Sequence, residues 1–200
     1  MRRTLEWAEA LAGRSRDAVR RLPPRVALFY LAALVVAILR RDRFTLASAT
    51  RPEDLETLLA VADGSRSVCE VGTGTGWSAL ALALVDPQRR VVSLDIEPRP
   101  AQVYARLVPR SVRDRVKFVL TAGAEGTAHA PSVDFLFIDS SHELEETVAT
   151  FEAWRPQLVA GAVVVFHDYG DPQYPGVAQA VEQLGLRGEV TGGVFVWRAP

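Results

Sequence analysis

Glu70-Val71-Gly72-Thr73-Gly74-Thr75-Gly76 stands between a short β-branched run, Val68–Val71, and an apolar stretch of helical character that opens at Trp77. Glycine lets the backbone turn sharply and admits a ligand where a Cβ would collide. Amides at the start of the following helix are a ready receptor for a polar or anionic group. Strand, glycine loop and helix in that order begin an α/β unit whose ligand sits at the carboxyl edge of the sheet.

The rest of the chain downstream repeats this alternation. β-Branched runs recur at Val91–Leu94, Val116–Leu120, Val133–Ile138 and Ala162–Phe166, with helical stretches at Trp77–Val85, Ala101–Val108, Glu143–Trp154 and Val177–Leu184. Continuous apolar strands alternating with helices predict a mostly parallel sheet covered on both faces. The Gly- and Ala-rich segment after Leu120 has room for only a short helix. The tail, Glu189 to Arg198, carries Gly192-Gly193 between two β-prone pieces and reads as a closing hairpin. Cys69 lies inside an apolar strand pattern and is read as a small core residue. No internal repeat or low-complexity tract interrupts the pattern.

Upstream, the character changes. Leu5, Ala8, Leu11, Ala18 and Leu22 recur at helical steps, and Pro23-Pro24 ends that helix. Next comes an uncharged run, Val26 to Leu39, bracketed by Arg25 and Arg40-Arg41. As a helix it spans about 21 Å against a hydrocarbon core of about 30 Å, which is short for a membrane span. A buried or dimer-forming helix, a helix on a membrane surface, and a true span or signal are the three placements it allows. Ala47-Ser48-Ala49 has a cleavage-site form, but the charged Arg40-Arg41-Asp42-Arg43 just before it argues for a cytoplasmic product. Thr50-Arg51-Pro52-Glu53 has capping-box spacing, with Thr50 as the expected cap of a helix carrying Leu55, Leu58 and Leu59 inward. The expected division is a basic, apolar helical extension over residues 1–49 and a ligand-binding domain over 50–200.

Two hundred residues with 48% hydrophobic and 24% charged side chains fit one folded domain rather than a disordered chain. A net charge of −1 offers no general attraction to nucleic acid. The first 45 residues are the exception, with ten arginines against four acids. A basic face of that kind suits a membrane surface, an acidic partner, nucleic acid or, most commonly, plain solvation. One cysteine excludes an intramolecular disulfide.

A second signal sharpens the glycine loop. Asp95 ends the next strand 19 residues beyond Gly76, where a carboxylate can accept the ribose hydroxyls of a nucleoside. The dinucleotide fingerprint is G-x-G-x-x-G, and here Trp77 follows the third glycine, so that glycine is out of its place. No Gly-Lys-Ser/Thr of a phosphate loop follows either. Glu-x-Gly-x-Gly-x-Gly with an acid closing the second strand resembles motif I and its partner in class I S-adenosyl-L-methionine (SAM)-dependent methyltransferases. That resemblance implies a Rossmann-like, doubly wound, mostly parallel sheet with the helical extension in front of it. It further implies that Gly72, Thr73, Gly74 and Gly76 pass beneath the methionine part of SAM, that Glu70 helps orient its amino group, directly or through water, and that Asp95 holds the ribose. Many relatives place an acid after the third strand to receive adenine. This chain has Thr121-Ala122-Gly123-Ala124-Glu125 there, which leaves backbone contacts around Ala122, Gly123 and Ala124 for that role.

Strand four runs into Asp139-Ser140-Ser141-His142, and strand five into His167-Asp168-Tyr169. Phe-Ile-Asp-x-x-His with Phe-His-Asp-Tyr resembles a branch of small-molecule O-methyltransferases, and the likeness covers about residues 67–170. Some of those relatives hold a divalent cation at these strand ends. By position Asp139 and Asp168 are the implied ligands, with Asp139 also beside SAM. Carboxylates suit Mg²⁺, and an added imidazole shifts preference toward Mn²⁺ or Zn²⁺. The metal-free alternative uses His142 or His167 as general base, since a free histidine titrates near pH 6.5. His129, in a Gly/Ala loop, reads as solvated. Tyr169, Pro172 and Tyr174 are candidates for an acceptor pocket.

The expected activity is methyl transfer from SAM to a small-molecule acceptor, at a hydroxyl oxygen, without nucleic acid as substrate. Residues 1–49 are left for a membrane-surface contact or a homodimer, and the location is cytoplasmic or peripheral to a membrane. Two rivals remain. A nicotinamide-dependent oxidoreductase predicts NAD binding, and a non-catalytic SAM-binding or membrane-associated module predicts that residues 1–45 carry the function.

Overall fold

The β-branched runs form strands where the sequence places them: β1 (Ser67–Val71), β2 (Arg90–Asp95), β3 (Val116–Leu120), β4 (Val133–Ile138), β5 (Leu158–Phe166), β6 (Glu189–Thr191) and β7 (Val194–Arg198). In the computed structural model, which describes residues 16–200, they make one sheet in the order β3-β2-β1-β4-β5-β7-β6. β1 to β5 are parallel neighbours, and β7 enters antiparallel between β5 and β6, closing the expected hairpin. β1 pairs with β2 on one side and β4 on the other, so the strand order reverses between β1 and β4. Such a reversal opens a crevice beyond the carboxyl ends.

Helices precede and cover the sheet: α1 (Arg16–Arg21), α2 (Pro24–Arg40), α3 (Arg43–Ser48), α4 (Pro52–Val61), α5 (Trp77–Val85), α6 (Ala101–Ala105), α7 (Arg110–Arg113), α8 (Leu144–Trp154) and α9 (Pro175–Gln183). Leu5, Ala8 and Leu11 of the expected first helix lie outside the described residues. The helix expected over Ala101–Val108 stops at Ala105, and α7 begins after Pro109, which cannot supply an amide to continue a turn. A 3-10 helix, Gly123–His129, fills the segment after β3.

Thr50 is not the cap of α4. Pro52 takes the first helical position, so Arg51 becomes the N-cap, without a side-chain bond, and Thr50 falls one residue outside. Proline's fixed φ is suited to that first position, and it overrides the capping-box spacing.

α5 is buried from Trp77 through Ala83, because α2 covers the side that the sheet does not. Phe29 and Tyr30 of α2 meet Trp77 edge-on, with centroids 6.3 and 5.1 Å away, and Tyr104 meets it at 5.5 Å. Val26, Ala33 and Ala37 complete the buried face of α2. Burying each of the larger side chains contributes roughly 1.5–3 kcal/mol. The described part of the extension therefore shares one core with the sheet domain. No helix among the described residues is long and apolar enough to cross a membrane. Arg89, buried, ties this layer to the sheet by donating to the carbonyls of Ala62, Ser65 and Leu82.

Candidate active site

The glycine loop sits at the strand-order reversal. Gly72 donates to the Leu94 carbonyl at 2.8 Å, and Asp139 donates to the Val71 carbonyl at 2.8 Å, so the ends of β1, β2 and β4 are laced together. A Cβ on Gly72 would stand 1.7 Å from the Asp139 carbonyl oxygen, at a φ of 102°. Only glycine allows that approach. Gly76, at φ 73°, presses against Ala101 and Phe118 and is a packing position rather than part of the cleft wall.

Asp95 lines the cleft as expected, and it also holds the loop. Its carboxylate accepts from the amides of Gly74 and Glu97, each at 3.0 Å, and from the Arg99 guanidinium at 3.3 Å. Arg99 was not singled out by the sequence reading. Its guanidinium lies 4.7 Å from the ring centre of Phe44, joining the end of β2 to α3.

Glu70 is placed differently from the expectation. Strand alternation turns it, with Val68, toward α5, where it is 0% exposed and absent from the cleft wall. Its carboxyl accepts from the hydroxyls of Ser78 and Ser93, and Ser93 bonds Thr73 at 2.7 Å. Burial pushes its pKa up to about 8, against the opposing pull of the two serine hydroxyls. Glu70 supports the loop from beneath.

Across the crevice the ends of β4 and β5 bring four side chains together. One ligand-capable atom from each of Asp139, His142, His167 and Asp168 lies within 4.8 Å of the others. Around the ring, His142 Nε2 is 3.3 Å from Asp139 Oδ1, which is 3.1 Å from His167 Nδ1. That nitrogen is 3.1 Å from Asp168 Oδ2, which is 3.0 Å from His142 Nε2. His167 Nε2 points the other way, 3.5 Å from Asp54 Oδ2 on α4. None of the His167 contacts has hydrogen-bond geometry, and both ring nitrogens are buried without a hydrogen-bond partner. His142 and Asp168 adopt positive φ, 64° and 54°, a conformation uncommon for non-glycine residues and concentrated at functional sites.

Burial alone would raise the Asp139 pKa, but the charge of His167, with the bond and charge of His142, outweighs it and holds the group at about 2. Burial works against the charged form of His142, and the two aspartates overcome it, raising the ring to about 9. His167 and Asp168 shift in the same senses, up and down, for the same reasons. With no cation between them, the paired aspartates thus favour the protonated form of both imidazoles.

The cleft between the two clusters encloses about 720 Å³, within the range of small-molecule sites. Ala122, Gly123 and Ala124 line it, and the Gly123 carbonyl accepts from Trp154 Nε1 at 2.8 Å. Tyr174 also lines it and stacks on His142, with ring centres 4.3 Å apart. Tyr169 instead packs on Phe195 at 5.1 Å, and Pro172 is absent from the wall. His129 is exposed beside Lys117. Asp54 and the α3 residues Phe44, Ala47 and Ser48, all on the wall, escaped the sequence reading. They come from the N-terminal helices, and no local motif marks them.

Solved structures share this fold. The calicheamicin-biosynthesis enzyme CalS11, a TDP-rhamnose 3'-O-methyltransferase, is 20% identical, with 91% of this chain and 93% of that one covered at a TM-score of 0.60. An O-methyltransferase from Bacillus cereus in complex with SAH is 18% identical, with 84% and 90% covered at 0.65. The O-methyltransferase TomG from Streptomyces achromogenes, of tomaymycin synthesis and in complex with SAM, is 20% identical, with 82% and 87% covered at 0.62. No curated protein matches the sequence. A family model described as a methyltransferase domain matches residues 69–169, from β1 through the end of the β5 cluster, and the chain belongs to that methyltransferase family.

Proposed function

We propose that this chain transfers the methyl group of SAM to a hydroxyl oxygen of a small molecule, with a divalent cation held by Asp139, His142, His167 and Asp168. The observation that carries the reading is the ring of four ligand-capable atoms facing the glycine loop across one cleft. The SAM- and SAH-bound O-methyltransferases among the structural neighbours support the cofactor and the acceptor atom.

The residues fit a cation on two grounds. Neighbouring atoms of the ring stand 3.0–3.3 Å apart, and ligand atoms about 2.1 Å from an octahedral cation are about 3 Å from each other. Charge also balances: two aspartates are offset either by two imidazolium protons or by one divalent ion with neutral imidazoles. Two nitrogens beside two carboxylate oxygens favour Mn²⁺ or Zn²⁺ over Mg²⁺. Such an ion, when bound, supplies Lewis acidity that lowers the pKa of an acceptor hydroxyl.

The chain's own residues provide position. In this reading the Gly72–Gly74 loop and Asp95 seat the nucleoside and methionine parts of SAM, and backbone around Ala122–Ala124 meets adenine. Tyr174 offers an aromatic face beside His142. Holding both reactants in near-attack geometry supplies the larger part of the rate. Calorimetric titration with SAM and SAH, with Mn²⁺ and with Mg²⁺, and with NAD as control, tests the reading. Micromolar binding of the SAM pair, with Mn²⁺ bound more tightly than Mg²⁺, is expected. A folded protein that ignores SAM would overturn the cofactor, and one that binds SAM but no cation would remove the metal.

A further inference from the structure

The exposed side of α2 has an apolar ridge that nothing among the described residues covers. Leu28, Leu31, Val35, Ile38 and Leu39 all face outward, with Leu28 72% and Leu39 77% exposed. They recur at helical steps opposite the face that packs on Trp77. Four arginines bracket them: Arg25 at the start, and Arg40, Arg41 and Arg43 at the end, all exposed and none in an ion pair among the described residues. α2 contains no acidic residue. Asp42, which follows it, is turned inward to cap α3 through Thr45 and to accept from Tyr104.

We infer that this ridge docks the protein on the surface of a bilayer carrying anionic lipids, with α2 lying flat. An apolar stripe with arginines at its margins suits that interface, where the leucines enter the acyl boundary and the guanidinium groups meet phosphates. The 17 residues of α2 make a rod of about 25 Å, too short to cross but long enough to lie in the plane. A second copy suits the ridge poorly. Antiparallel pairing sets Arg25 against Arg40 and Arg43 of the other copy, and parallel pairing sets like ends together. α2 itself contributes no acid to either arrangement, and like charges facing each other cost affinity. Past the Arg41 turn that ends α2, Phe44, Ala47 and Ser48 of α3 line the cleft, so the ridge adjoins the wall of the candidate active site.

Docking stands apart from the methyl-transfer reading, and vesicle partition measures it without turnover. The full chain is floated with vesicles of phosphatidylcholine alone and of phosphatidylcholine with phosphatidylglycerol. Binding to the anionic vesicles, weakened by salt, is expected. Paired Leu28→Glu and Leu31→Glu substitutions should lower partition at least tenfold, with the SAM titration unchanged. An Arg25→Glu, Arg40→Glu, Arg43→Glu variant, which leaves the ridge intact, should lose the preference for anionic vesicles. Failure to float with either vesicle overturns the inference, as does binding that survives the ridge substitutions. A dimer in sedimentation that the ridge glutamates dissociate would assign the ridge to a second copy instead.

Discussion

On the β1–β2 side of the carboxyl edge, the polar groups are bonded to one another. Asp95 holds the Gly74 amide, Glu70 holds Ser78 and Ser93, and Ser93 holds Thr73. On the β4–β5 side, two aspartates and two histidines crowd together, two of them at positive φ, and the His167 nitrogens lack hydrogen-bond partners. The first half is finished as a shape before any ligand arrives. The second gathers charge and lone pairs at a stability cost, which is characteristic of a site completed by what it binds. Substitutions should therefore act through packing on one side and through ligand affinity on the other.

The largest effect is expected at Gly72. An added Cβ would lie 1.7 Å from the Asp139 carbonyl oxygen at a φ that side chains avoid. Gly72→Ala should destabilise the fold by about 3 kcal/mol or more and abolish SAM binding. Gly74, at φ 48° with open space around its missing Cβ, is the internal control. Gly74→Ala should cost about 1–2 kcal/mol, read as a melting-temperature difference. Equal effects at the two positions would mean that close approach to Asp139 is not what fixes the loop.

Glu70 gives a pH signature on the same side. Its pKa is about 4.5 in an unfolded chain and is raised to about 8 by burial in the folded one. Between those values the folded protein keeps a proton that the unfolded chain has lost, so this contribution is fully present below pH 4.5 and fades as pH rises through 8. Over that window stability should fall by about 1.4 kcal/mol per pH unit from this group. Glu70→Gln, which mimics the protonated form, should flatten that slope in urea melts at pH 5, 6.5 and 8. An unchanged slope would mean the carboxyl is ionised beneath the loop.

On the other side, the proposed cation site predicts that Asp139→Asn leaves the fold intact and weakens Mn²⁺ binding by about 100-fold or more, because an ionised member of the ring is replaced by a neutral one. A change in melting temperature with no change in cation affinity would move Asp139 into the structural class occupied by Glu70.

The two halves also differ in how they could be read from sequence. The loop and Asp95 are legible because glycine spacing and strand ends are local signals, and the strand alternation fixed the parallel sheet for the same reason. Glu70 was misplaced because a period of two says that Glu70 and Val71 face opposite ways, but not which face opens on the cleft. Asp139, His142, His167 and Asp168 were recognisable as residue types, while their closing into a single ring depends on the β4–β5 register. α2 hid its two faces because both are apolar, so no periodicity separated the buried Phe29 from the exposed Leu28. Asp54 left no trace at all: it lies 113 positions before His167, on a helix whose pattern announces only an amphipathic face.

Asp54 is where the comparison can be sharpened most finely. Its Oδ2 is 3.5 Å from His167 Nε2, and the opposite nitrogen, Nδ1, faces Asp139 and Asp168. A carboxylate behind an imidazole favours a proton on the nitrogen it faces and raises the basicity of the other, and at 3.5 Å without hydrogen-bond geometry Asp54 acts through its charge. Asp54→Asn keeps the shape and removes the charge. It should weaken Mn²⁺ binding about tenfold, the lower end for such outer partners, with SAM affinity and melting temperature unchanged. Asp54→Glu, which restores the charge on a longer arm, should recover part of the loss. If the asparagine variant instead lowers melting temperature and spares the cation, Asp54 serves to pin α4 to the sheet. The N-terminal helices would then contribute walls to the cleft but nothing to the chemistry of its charged half.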